Sequence, residues 1–157
     1  MRLTKFSDYA LRILLLAATE GQGRLTIEDA ATRFGISVSH VKKVVLTLSR
    51  AGYLRGSRGR AGGFALARPP EEINLGAVIR LTEPDFGLFE CFLPDNACLI
   101  SRTCRLPTIA NEALAAFIGV FDRHTLADAV LRPEFFAPAD PGRQPRRGPQ
   151  LPQAAGA

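Results

Sequence analysis

The sequence predicts a mainly α chain: a winged helix-turn-helix, then a cysteine-bearing loop, then a long helix. Three observations predict it. Two helix-like segments, about 26–34 and 37–51, are joined by the tight turn Gly35-Ile36. A Gly- and Arg-rich hairpin, GSRGRAGGFALAR, follows the second. All three cysteines then lie in the span 91–104. With 157 residues, 46% of them apolar, the chain has material for one ordinary domain and a real core.

The elements follow in order. A first helix starts near Thr4 or Ser7 and stops at Gly21. Its longest apolar run, Ile13 to Ala18, is far short of the roughly 20 residues that span a membrane. Arg12 and Asp8 interrupt the apolar pattern, and no small-residue cleavage site follows, so the segment reads as an amphipathic core helix and not as a signal peptide. The expected compartment is a reducing cytoplasm. A second helix spans about Thr26–Phe34; Thr26 can cap it, with Asp29 three residues on as in a capping box. A third starts at Ser37 or Ser39 and carries Val38, Val41, Val44, Val45 and Leu48 at helical spacing. His40, Lys42, Lys43, Thr47 and Arg50 fall largely off that stripe.

Strand-like pieces at 53–55 and 63–67 flank the glycine-arginine loop and make a wing. Residues 71–105 read as a short helix and then the cysteine loop, and residues 106–135 as helical again. Pro107 suits a first helical turn. Leu106, Ile109, Ala113, Phe117, Val120 and Phe121 form an apolar stripe, open to packing within the monomer or against a second copy. Thr125 and Asp128 suit the start of a final short helix. Of the 21 residues 137–157, 13 are Pro, Gly or Ala, which predicts a disordered tail.

Charge is uneven. Residues 1–68 hold 12 Lys and Arg against 4 Asp and Glu; residues 69–157 hold 8 against 11. A basic first half suggests a module facing a polyanion, most simply double-stranded DNA. In a helix-turn-helix the second helix puts its first residues against base edges in the major groove. Here those are Val38, Ser39, His40, Lys42 and Lys43. Arg58 and Arg60, at the tip of the wing, would reach phosphates or a narrow minor groove.

Cys91, Cys98 and Cys104 form a C-x6-C-x5-C array. Thiolates select zinc or iron–sulfur, but this spacing matches neither the usual zinc nor the usual ferredoxin pattern. A metal or cluster site, a thiol redox switch and inert buried thiols all remain open. Phe86, Leu88, Phe89, Phe92, Leu93, Leu99 and Ile100 could shield such a site from water. Three cysteines leave a fourth position, for which His40, His124 and a carboxylate are candidates. From the residues alone, Asp8 reads as a carboxylate favoured by the dipole at a helix start. There is no Ser/His/Asp set, no paired carboxylates and no phosphate loop, so an enzyme is not expected.

TKFSDYALR, LSRAGYL, RGRAGGFALARP, NLGAVIRLTEP and the cysteine loop ending CRL together resemble the NsrR/IscR/RirA family of winged-helix iron–sulfur transcription regulators. The similarity covers about residues 1–133. FDRHTLADAV and ACLISRTCRL are most similar to the nitric-oxide-sensing branch. IscR-like members have a histidine soon after the third cysteine, where this chain has Arg105-Leu106-Pro107.

The resemblance implies a DNA-binding domain over 1–70, a short helix and cluster-binding loop over 71–105, and a dimerisation helix with a C-terminal helix over 106–135. It implies a homodimeric repressor on an inverted-repeat operator, with one 4Fe-4S cluster per subunit or, alternatively, a 2Fe-2S cluster. Cys91, Cys98 and Cys104 match the cluster cysteines. Asp8 matches an oxygen ligand donated from the partner subunit, and Arg12 matches the arginine supporting it. The implied signal is nitric oxide, which would dismantle the cluster and release promoters of nitrosative-stress genes. The alternative is a regulator of the same fold that senses iron or cluster supply.

Overall fold

A computed structural model describes residues 2–21, 25–57 and 62–136. The order is α1 (Lys5–Glu20), α2 (Ile27–Phe34), α3 (Val38–Arg50), β1 (Leu54–Ser57), β2 (Gly63–Leu66), α4 (Leu75–Thr82) and α5 (Leu106–Asp122). Single turns of 3-10 helix fill parts of the connections and the end of the chain.

Each helix start has a local cause. Thr4 caps α1 by accepting a hydrogen bond from the Ser7 amide. The Thr4 amide donates to Glu83 Oε1 at 2.8 Å, and its hydroxyl donates to the same oxygen at 3.1 Å. The start of α1 is thus clasped to the residue that follows α4. The capping box of α2 forms as the sequence predicts: Asp29 N donates to Thr26 Oγ1, and Thr26 N donates to Asp29 Oδ2. The Thr26 hydroxyl, and then its amide, hold the Asp29 carboxyl below its usual range. Gly35 closes α2 at φ +62°, a left-handed position that favours glycine. Of the two serines open as the start of α3, it is Ser37 that caps it.

The core lies among α1, α2, α3, the hairpin and α4. Ile13, Leu14, Leu16, Val41, Val44, Leu48, Ile73 and Val78 are fully enclosed, and Leu25 and Phe64 nearly so. Burying each such side chain contributes about 1.5–3 kcal/mol. Leu25 and Phe64 exchange backbone hydrogen bonds, which adds a third extended segment to the antiparallel pair β1–β2. The hairpin starts one residue later than expected and runs further, to Ser57, because Leu54 pairs with Leu66 and Ser57 with Gly63. The Arg68 guanidinium lies 5.1 Å from the Tyr53 ring centre and donates to the Gly52 carbonyl, locking the base of the hairpin.

α4 and α5 are tied end to end. Asn74 caps α4 through Ala77 N while its amide donates to the Asp122 carbonyl. Arg80 and Asp122 form a two-pronged pair, 2.5 and 2.7 Å, over Gly76. Arg80 holds the Asp122 carboxyl low. Beyond Asp122 the expected α-helical stretch is instead 3-10: Leu126–Ala129, begun by the Thr125–Asp128 capping box, and Pro133–Phe136. Its role is to return apolar groups to the core. Leu126 is fully buried, and Phe136 packs edge-on against Phe34. The residues expected to form a disordered tail lie outside those described.

Candidate nucleic-acid interface and cysteine loop

Four of the residues expected to face DNA share the exposed side of α3. Ser39, His40, Lys42 and Lys43 are exposed, and Val38 is 38% exposed at the start of the helix. The local structure fixes the first of them. Ser37 Oγ lies 3.1 Å from Ser39 Oγ and 2.8 Å from His40 Nδ1. Both lysines are exposed, and among the described residues neither forms an ion pair that would spend its charge internally. The His40 ring also meets the Tyr9 ring of α1, 6.2 Å between centres. That contact joins α3 to the helix that carries Asp8. Sequence reasoning missed it, since nothing in either segment announces a pairing across 31 positions. Arg58 and Arg60 lie outside the described residues; Arg55, on β1, is exposed on the same hairpin.

Asp8 sits in the first turn of α1, where a carboxylate suits the helix dipole. Arg12, one turn on, grips it with both prongs: Nε to Oδ1 at 2.9 Å and Nη2 to Oδ2 at 2.8 Å. Both side chains are nearly half exposed. An exposed pair of this kind is held weakly, so either oxygen can be surrendered to a stronger partner at small cost.

Cys91, Cys98 and Cys104 are free thiols of intermediate exposure. The loop around them is shaped by its own polar groups. Cys98 N donates to Asn96 Oδ1, Ala97 N to Glu90 Oε1, Ser101 Oγ to the Cys98 carbonyl and Cys104 N to the Ile100 carbonyl. The expected apolar shield does not form within one chain. Leu99 is 99% exposed, Ile100 59%, Leu93 47% and Phe89 46%. The stretch is too short and too turned by Pro94, Asp95 and Asn96 to fold back over itself.

Among the described residues, no three His, Cys, Asp or Glu side chains gather as a single metal ion would need. Neither Asp8 nor a histidine joins the cysteines in such a group. The donor set nevertheless suits a polynuclear cluster in its chemistry. Three soft, half-buried thiols are present, and such a group takes one thiolate per iron, so the sulfurs need not meet at a point.

The apolar stripe of α5 divides. Ala110 and Ile118 face inward, while Leu106, Ile109 and Val120 are 54%, 60% and 47% exposed. Phe117 and Phe121, half-buried, pack edge to face. Among the described residues no helix is long and apolar enough to cross a membrane.

The comparisons agree with this geometry. The family model Rrf2, described as an iron-dependent transcriptional regulator, matches residues 3–132. The HTH-type transcriptional regulator NsrR of Bacillus subtilis (strain 168) is 44% identical, covering 85% of this chain and 93% of that protein. The protein of the same name from Geobacillus kaustophilus is 45% identical over 83% and 90%. Among solved structures, oxidised Staphylococcus aureus CymR matches with a TM-score of 0.63 at 29% identity, covering 80% of this chain and 93% of that one. T. potens IscR, at 24% identity and a TM-score of 0.65, supports the fold. The winged helix, its basic exposed face and the match over nearly all described residues lead to one conclusion: the chain belongs to the Rrf2 family of transcriptional regulators, which are DNA-binding proteins and not enzymes.

Proposed function

We propose that the chain is a homodimeric repressor that senses nitric oxide through a 4Fe-4S cluster in each subunit. One observation carries the reading: every cysteine of the chain is a free, half-buried thiol in one loop, with no disulfide among the described residues that would explain the cluster of three. The similarity to proteins named NsrR points the same way. Cys91, Cys98 and Cys104 would hold the group, with the partner subunit's Asp8 supplying an oxygen to the fourth iron. Bound there, the cluster supplies iron open to attack by a small neutral diatomic molecule.

The chain's own residues then do the rest. Asp8 has two claimants, Arg12 of its own helix and the partner's cluster site. While an Asp8 oxygen is held across the dimer, α1 is held too. Through Tyr9 and His40, α1 steadies α3, whose Val38, Ser39, His40, Lys42 and Lys43 face the major groove. Arg58 and Arg60 would hold the flanking backbone. The exposed stripe Leu106, Ile109 and Val120 would pair two α5 helices and give the twofold axis that an inverted-repeat operator requires. When the tie is lost, Asp8 returns wholly to Arg12 and the two α3 helices lose their fixed spacing.

The family's iron dependence favours one second reading, in which the same machinery reports iron or cluster supply. Anaerobic titration separates the two. Protein purified without oxygen should show broad iron–sulfur absorbance, and substoichiometric nitric oxide should bleach it as operator DNA is released. Release by chelation with indifference to nitric oxide would establish the iron reading. A colourless zinc protein would remove both.

A further inference from the structure

The outward stripe of α3 consists of Ser39, Lys42, Lys43, Leu46 and Arg50, spaced i, i+3, i+4, i+7 and i+11. Leu46 lies opposite the core stripe Val41, Val44 and Leu48, which is fully buried, and is itself 50% exposed. Four of the five positions are polar or cationic, as a groove-facing surface demands. One is a large aliphatic side chain with cations one turn before it and one turn after. A single exposed leucine is common; one at the centre of a cationic recognition face is placed where DNA offers few apolar surfaces.

Leu46 stands seven residues beyond Ser39, about 10 Å along the helix axis at ~1.5 Å per residue, far enough to meet a different base pair. With α3 in the groove, the long side chains of Lys42, Lys43 and Arg50 can reach bases or phosphates, while Leu46, on the same outward stripe, can only pack on an apolar feature of the bases. The apolar feature that the floor of the major groove presents is the 5-methyl group of thymine.

We propose that Leu46 is a specificity-determining residue that packs on a thymine methyl in each half-site, at a base pair other than the one faced by Ser39. The proposal deepens the reading of α3 as the groove-facing helix and rests on it. The contact adds apolar burial without a hydrogen bond, so it discriminates thymine from cytosine and from uracil by the methyl group itself.

The test uses an operator selected by the full-length, cluster-loaded protein from a pool of random duplexes. Each thymine of both half-sites is replaced in turn by deoxyuridine, which deletes the methyl alone. At one position the affinity should fall about fourfold per half-site, the worth of one buried methyl group. Leu46→Ala, which keeps helix propensity at an exposed site, should bind the methylated operator more weakly and show no penalty at that position. Its penalties at every other substitution should be unchanged. Indifference of the wild type to every methyl, or an L46A variant that keeps the same penalty, overturns the proposal. So does an L46A variant whose oligomeric state changes while its methyl sensitivity stays, since that would place the side chain in a protein interface. A chain that selects no operator overturns the reading of α3 as well, and is recognised by the absence of any specific complex.

Discussion

In α1 the side chains of Ile13, Leu14 and Leu16 are fully enclosed, whereas between residues 83 and 105 no residue is buried and Leu99 stands almost wholly in solvent. The two regions are held by different means. The head closes on apolar burial, and its polar groups do local work at helix ends: Thr4, Thr26, Ser37 and Asn74 each cap. The cysteine loop has Asx-type contacts around Asn96, one turn of 3-10 helix and three thiols. Such contacts fix a local shape without supplying a core. The proposed function makes use of this difference: a sensor needs a part that persists and a part whose order depends on something supplied from outside.

That contrast can be broken by substitution. Leu16→Ala, in the head, should destabilise the chain by about 2–5 kcal/mol in denaturant unfolding, the cost of a cavity in a closed core. A loss below ~1 kcal/mol would mean the head is less tightly packed than its burial indicates. Gly76→Ala probes the tie between α4 and the end of α5, the two helices that flank the cysteine loop. A Cβ at Gly76 would collide with the Asp122 carboxylate, which Arg80 holds in place from the other side. Alanine suits a helix better than glycine, so crowding and propensity oppose one another and a net loss of about 1 kcal/mol is expected. Unfolding of the Arg80→Ala background should show a smaller penalty, because the carboxylate can then swing away. Cys98→Ala lies in the loop. In the metal-free chain it should leave the unfolding free energy within about 0.5 kcal/mol, while iron content after anaerobic purification falls to near zero. A large loss of stability would show that the loop belongs to the core after all, and an unchanged iron content would remove Cys98 as a ligand.

Most of the head was legible in the sequence because its signals are local. The Thr26–Asp29 capping box, the Gly35 turn and the Val41/Val44/Leu48 stripe each sit within a few residues of what they organise. Pro107 and the Thr125–Asp128 pair were legible for the same reason. What the sequence hid is long-range. Glu83 on Thr4, Tyr9 on His40, Leu25 on Phe64 and Arg80 on Asp122 pair residues that no periodicity relates. The apolar shield expected around the cysteines failed for a related reason: composition gives the number of apolar groups in a loop but not the surface that covers them. Leu46 is silent in the sequence because, beside Val44 and Val45, it reads as one more apolar residue of the core stripe.

The clasp between Thr4 and Glu83 spans 79 positions of sequence. During synthesis at ~5–20 residues per second, roughly 4–16 s separate the appearance of its two halves. For that interval the leading helix can form its hydrogen bonds and bury its apolar face against α3, yet its first turn has no lasting anchor. The start of α1 is therefore anchored only once the polypeptide has been translated to the threshold of the cysteine loop, about halfway along the 157 residues.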